Sequence, residues 1–201
     1  MDLQKQTKAL QKALLSIAAI TVKPAMERVL VEVSESKAVE PVARRLQEGA
    51  EGVPPLRTLV HLGVFHDAAG DLVFSALLDT RGPETSREES AAIVLRWRVQ
   101  CGGSEERVGA PTLRGVWPSA PHFEAEIAAL FGVTFRSLDG TVVETGGHFL
   151  PTGWVGFPLR KGYLFPAEFL DIPHARPAGQ TAPDEHAGAV VSPDAGGGLI
   201  G

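Results

Sequence analysis

The 201-residue chain is 44% apolar and carries 19 Lys and Arg against 24 Asp and Glu, a net charge of −5. This is the composition of a water-soluble globular protein of one domain with extensions, and it leaves no broad basic field to hold nucleic acid phosphates. A single cysteine, Cys101, excludes an internal disulfide and any Cys-ligated zinc or iron–sulfur site built by this chain alone.

From about Asp2 to Ser16, Leu3, Ala9–Leu10 and Ala13–Leu14 recur near helix period with no Gly or Pro. Gln4, Gln6 and Gln11 interleave with the leucines, so this reads as a mature amphipathic helix rather than an export signal. The apolar run Ala13–Ile20 is about eight residues, well short of the roughly 20 a membrane span needs. Ile17–Val22 and Arg28–Val33 are rich in β-branched residues and read as strands, with Lys23-Pro24 between them blocking a continuing helix. Ser34 or Ser36 offers an N-cap to a helix of about twelve residues that carries Val39, Val42–Ala43 and Leu46 and closes at Gly49. After the Gly52-Val53-Pro54-Pro55 linker come three strands. Thr58–Phe65 sets Leu59, His61, Gly63 and Phe65 on one face and Val60, Leu62 and Val64 on the other, both largely buried. Asp67 to Gly70 is a hairpin connection, Asp71–Asp79 returns, Thr80–Ser90 reads as an exposed loop, and Ala91–Cys101 alternates Ile93, Leu95, Trp97 and Val99 against Arg96, Arg98 and Gln100.

The order α-β-β-α-β-β-β predicts an α+β fold, a two-layer domain with helices on one face of a largely antiparallel sheet. Beyond it, Ser119 caps a helix with Pro121 in its first turn. Phe123, Ile127, Leu130 and Phe131 form its apolar face, His122, Glu124 and Glu126 lie on the other side, and Gly132 stops it. We expect an α/β domain over 1–103, the helix plus an extended interface segment over 104–172, and a disordered Pro-, Gly- and Ala-rich tail over 173–201. The chain has no internal repeat.

Signs of catalysis are sparse. There is no G-x-S-x-G elbow, Walker loop or H-E-x-x-H helix. His122 and Glu126 share a helix face at i and i+4, the one acid–base pair a small stand-alone enzyme could use, but two ligands are too few for a metal. Cys101 ends an apolar strand and reads as a small hydrophobe, and Gly146-Gly147-His148 lacks the strand–helix context of a phosphate loop. What a simple core does not need is the pairing of Glu124 and Glu126 with a late irregular segment containing Trp154, Phe157, Arg160, Lys161, Tyr163, Phe165 and, further on, Phe169. Carboxylates on a helix and a guanidinium on a nearby Pro-fixed loop form charge-assisted bonds, so Arg160 is expected to pair with Glu124, with Glu126 or with a partner carboxylate. Aromatic residues in irregular segments are typical interface anchors.

These segments, Pro111-Thr112-Leu113, Trp117-Pro118, Glu124-x-Glu126, Phe131-Gly132-Val133-x-Phe135 and Leu150-Pro151-x-x-Trp154-x-Gly156-x-Pro158-Leu159-Arg160-Lys161-x-Tyr163, stand in an order that resembles the C-type subunit family of respiratory NADH:quinone oxidoreductase, complex I. The resemblance spans about residues 1 to 166 and is motif-grade over 111–163. Ala125, Ala129 and Gly162 stand where the family has Arg, Asp and Asp, and the family's G-H-P-D-L-R-R segment is replaced by a Gly-rich stretch with Asp139 and Glu144. The resemblance implies a structural subunit of the peripheral arm, on the cytoplasmic face of the membrane, that binds no cofactor itself. NADH, quinone and iron–sulfur clusters would belong to the complex, and the partners would be its quinone-site and iron–sulfur subunits, with the membrane met only through the complex. It also implies Glu124, Glu126, Phe131, Gly132, Trp154, Gly156, Pro158, Leu159, Arg160, Lys161 and Tyr163 as interface or fold-pinning residues. The homologous subunit of membrane-bound energy-converting nickel–iron hydrogenases shares this module and is the alternative assignment, and a free-standing binding module is a third.

Overall fold

The structure, a computed structural model, describes residues 3–17, 20–25, 28–80, 92–102, 106–146, 149–166, 168–170 and 172–173. The chain divides into two compact units, Met1–Phe165 and Pro166–Gly201. In the first, helix α1 (Leu3–Leu14) precedes strands β1 (Ile20–Ala25) and β2 (Arg28–Val33), helix α2 (Val39–Glu48), and strands β3 (Thr58–His66), β4 (Leu72–Asp79) and β5 (Ala92–Val99). The α+β order expected from the sequence is the order observed. The five strands form one sheet in the order β1-β2-β5-β4-β3, antiparallel throughout except for the pair β2–β5.

Alternation decides which rows go inward. Val29, Val31 and Val33 of β2, Phe74, Ala76 and Leu78 of β4, and Ile93, Leu95 and Trp97 of β5 are buried in one cluster with Leu10 of α1 and Val42 and Leu46 of α2. Trp97 stacks on Phe74 at 5.0 Å and 8° between planes. Glu32, Arg96 and Arg98 point the other way, as period-2 patterning requires. The Asp67–Gly70 turn closes the β3–β4 hairpin, with Asp67 N–H donating to Asp71 O and Gly70 N–H to Asp67 O.

Several expectations are corrected. Lys23-Pro24 lies inside β1 rather than between strands; β1 is an edge strand, the place in a sheet where a residue without an N–H is tolerated. Neither serine caps α2: a 3-10 turn at Ser36–Ala38 leads in, and the N-cap Ala38 makes no side-chain cap bond. In β3 the pairing register shifts between Leu59 and His61, which puts both Leu59 and Leu62 in the core and leaves Val60 and Phe65 46% and 47% exposed. A bulge of this kind breaks strict alternation, so the two faces read from the sequence do not hold along the whole strand. The loop expected at Thr80–Ser90 lies outside the described residues except for Thr80, which is buried. The tail expectation also falls outside them beyond Pro173.

Past the sheet, β6 (Val108–Pro111), α3 (Ala120–Phe131) and β7 (Val133–Arg136) form a β-α-β crossover in which β6 and β7 pair in parallel, a unit the sequence reading missed. Its core residues, among them Trp117 and Phe135, join the main cluster, and Phe135 meets Phe74 edge-on at 6.3 Å. In the second unit, among its described residues, β8 (Glu168–Phe169) pairs antiparallel with β9 (Ile172–Pro173). Among the described residues no helix is long and apolar enough to cross a membrane.

Candidate functional site

The functional residues expected from the sequence gather at the two ends of α3, and the ends do different jobs. At the start, Ser119 does not cap the helix; its hydroxyl donates to Leu59 O at 3.1 Å and ties the helix to β3. Glu124 is fully buried, not on the polar side of the helix where its periodicity places it. The face that goes inward is Ala120, Glu124, Ala125, Ile127 and Ala128, because the Thr112–Arg114 loop folds over the carboxylate and satisfies it. Thr112 Oγ1 donates at 2.9–3.0 Å, Leu113 N–H at 2.7 Å, and Arg114 Nε lies 3.3 Å from Oε2 as an ion pair without hydrogen-bond alignment. The Pro-Thr-Leu motif is thus the receptor for the glutamate twelve residues later. Glu126, two residues on, is exposed.

Burial pushes the Glu124 carboxyl above the usual carboxylate range, and the Leu113 N–H, the Thr112 hydroxyl and the Arg114 guanidinium pull it only part of the way back. A raised folded-state pKa means the carboxyl's contribution to stability is complete below the unfolded carboxylate range and is lost as pH rises through the folded value. Glu124→Gln cannot ionise. Its destabilisation relative to wild type is therefore expected to be largest at acidic pH and to shrink toward neutrality, a trend that urea melts at a series of pH values would check.

At the other end, the late segment caps α3. Gly132 takes a left-handed conformation (φ 64°) at the C-cap, and the chain returns to cover the orphan carbonyls. Leu159 N–H donates to Leu130 O at 3.0 Å and Arg160 Nε to Phe131 O at 2.6 Å. Arg160 is 4% exposed; its Nη2 donates to Glu106 O at 2.8 Å and its Nη1 to Cys101 Sγ at 2.8 Å. A cation on carbonyls at a helix C-terminus is also favoured by the helix dipole.

The expected pairing of Arg160 with Glu124 or Glu126 is not formed. Glu124 sits seven residues before Phe131, about 10 Å along a helix rising 1.5 Å per residue, and is paired with Arg114 instead. Phe157 lies under two guanidinium groups, with Arg107 5.1 Å and Arg160 5.7 Å from its ring centre, and over Gly132, where any Cβ would fall inside the ring. Gly156 (φ 80°) makes the same kind of room for Tyr163, whose hydroxyl donates to Val155 O at 3.0 Å. Trp154, half-buried, meets Phe165 edge-on at 5.4 Å. Lys161 reaches the β3–β4 hairpin, its N–H donating to His66 Nε2 at 3.2 Å and its Nζ to Asp67 O at 3.1 Å.

Sequence reasoning missed Cys101, Glu106, Arg107 and His66 as partners of this segment. Three of these contacts use main-chain or sulfur atoms, or the face of an aromatic ring, and carry no spacing signal. With its underside held, the segment turns Val155 (76% exposed), Leu159 (51%), Leu164 (73%) and Phe165 (58%) outward, with Pro158 half-buried among them in sequence. His122 is spent on aromatic neighbours, 6.0 Å from Phe123 and 5.8 Å from Phe149, and among the described residues no group of three or more His, Cys, Asp or Glu is placed to hold a metal ion.

The family model described as respiratory-chain NADH dehydrogenase, 30 Kd subunit, matches residues 31–168, from β2 through the capping segment. The chain belongs to this family. Among curated relatives, the fused C/D polypeptide of the NADH-quinone oxidoreductase of Ectopseudomonas mendocina is 36% identical over 71 residues, covering 32% of this chain and 10% of that protein. The C/D polypeptides of Acinetobacter baumannii (strain AYE) and Psychrobacter cryohalolentis are each 33% identical over 72 residues, covering 33% of this chain and 10% of theirs. The match therefore spans a tenth of the length of these relatives. Among solved structures, a chain of the membrane-bound sulfane sulfur reductase, an archaeal respiratory membrane complex, shares the fold with a TM-score of 0.51 at 15% identity, over 74% of this chain and 75% of that one.

Proposed function

We propose that this chain is a cofactor-free structural subunit of the peripheral arm of an NADH:quinone oxidoreductase, docking through its late segment onto the quinone-site and iron–sulfur subunits at the cytoplasmic face of the membrane. NADH, quinone and the clusters belong to its neighbours, and electron transfer coupled to ion translocation is the work of the assembly. The reading is supported by family membership and by the names of the C/D relatives. The observation that carries it is the row Val155, Leu159, Leu164 and Phe165, exposed on a segment whose buried side is fully bonded to the fold. Apolar side chains presented on a pre-ordered support lose little entropy on association, which is what an interface core needs.

A second reading is the equivalent subunit of a membrane-bound energy-converting nickel–iron hydrogenase. It is favoured by the presence of the same fold in a respiratory membrane complex of another name. The identity of the proteins that co-purify with the chain separates the two.

The docking test replaces Leu159 and Leu164 together by Asp in the native complex. Two charges in an apolar contact are expected to weaken association by on the order of 100-fold or more. The purified complex then lacks this chain and turns over little quinone, while the cluster spectra of the other subunits persist. A double variant with a full complement of polypeptides and normal activity would refute the docking reading, as would turnover by the isolated chain.

A further inference from the structure

We infer that His66 is a proton-sensitive latch on the docking segment: neutral, it holds Lys161 in place, and protonated it lets go. The inference rests on the docking reading for its biological meaning but on the ring's own hydrogen bonds for its chemistry.

His66 ends β3 and has both ring nitrogens occupied. Nδ1 lies 2.8 Å from Gly70 O, an acceptor, so Nδ1 carries the hydrogen. Nε2 lies 3.2 Å from the Lys161 N–H, a donor, so Nε2 carries the lone pair. Only the neutral Nδ1–H tautomer satisfies both contacts. A proton added at Nε2 sets two donors face to face and removes the acceptor that Lys161 N–H uses, while the bond to Gly70 O remains and keeps the ring seated in its hairpin.

The surroundings of the ring are mixed. Lys161, whose Nζ donates to Asp67 O, faces it from the docking segment, and Asp67 and Asp71 come from its own hairpin. Asp67 Oδ2 is already paired with Arg98 of β5 at 3.0 Å. From α3 comes the uncharged Phe131 ring, 6.3 Å away. Once the imidazole is charged, Lys161 adds like-charge repulsion to the lost hydrogen bond. The turn that loosens lies between Leu159 and Leu164, so protonation acts on the outward row itself. Histidine is the side chain whose charge changes between pH 5 and 8, which places the latch in the range a cell compartment reaches.

The experiment is hydrogen exchange of the Lys161 amide in the full chain, corrected for the intrinsic pH dependence of exchange, together with nitrogen NMR of the His66 ring. Between about pH 7.5 and about pH 5.5 the wild-type protection of Lys161 is expected to fall about fivefold, the equilibrium factor of one hydrogen bond of ordinary strength. His66→Gln, which retains an acceptor and cannot titrate in this range, should show no such fall, and His66→Phe should be unprotected at both values. A wild-type protection independent of pH overturns the latch, as does the same fall in His66→Gln or a ring found protonated at Nε2 at about pH 7.5. Because the readout is made on the chain alone, its failure leaves docking untouched, and a failure of docking leaves the pH response of Lys161 standing.

Discussion

Arg160→Ala is expected to lower the free energy of unfolding by about 3–5 kcal/mol, the usual consequence of removing one partner from a buried charged network. The side chain sits almost wholly inside the protein and serves three separate pieces of chain: Phe131 at the end of α3, Glu106 before β6, and Cys101 after β5. Truncation leaves two buried-side carbonyls without their donor and withdraws the charge that complements the helix terminus. The loss should be local first. Limited proteolysis should cut within Trp154–Phe165 before the urea transition of the sheet begins. Arg160→Lys should recover only a small part of the stability, since one ammonium group cannot span the three acceptors that the planar guanidinium serves. A urea midpoint within experimental error of wild type for Arg160→Ala would contradict this account.

Gly132→Ala should cost about 2–4 kcal/mol, more than a surface substitution at a helix end. About 1–2 kcal/mol comes from forcing an L-residue into the left-handed conformation. The rest comes from Phe157, which must leave its place between the Gly132 backbone and the guanidinium groups of Arg107 and Arg160. A double-mutant cycle separates the two parts. In a Phe157→Ala background the steric part is gone, so adding Gly132→Ala should then cost only the conformational part. Equal costs in both backgrounds would show that the ring is not what Gly132 makes room for.

The main sheet was legible because its strands are strongly alternating and its turns are chemically marked: Ile93, Leu95 and Trp97 went inward, and Asp67–Gly70 turned as its residues suggest. What failed was whatever depends on residues distant in sequence. The β3 bulge is a matter of pairing with β4, β6 and β7 are four residues each and pair only with one another, and the parallel β2–β5 contact has no local signal. The site shows the same division. The motif residues gather about α3 as their order suggested, yet the simplest charge pairing was wrong. Glu124 found its cation in Arg114, ten residues earlier, and Arg160 spent its donors on main-chain carbonyls and a sulfur. Glu124 itself reads as a solvated residue until one sees that Thr112 and Leu113 supply its missing water.

The parallel seam between β2 and β5 sets a schedule for synthesis. It joins Val29 to Ile93, about sixty residues downstream, and every other neighbour in the sheet comes from an adjacent hairpin or return strand. At a ribosomal rate of about 5–20 residues per second, β2 emerges several seconds before the strand that completes it, with its Val-Leu-Val row bare along one side. During that interval the nascent chain offers a sticky ribbon to any other extended polypeptide nearby. Low temperature or a bound chaperone during expression should therefore raise the yield of this protein more than any change to its finished surface.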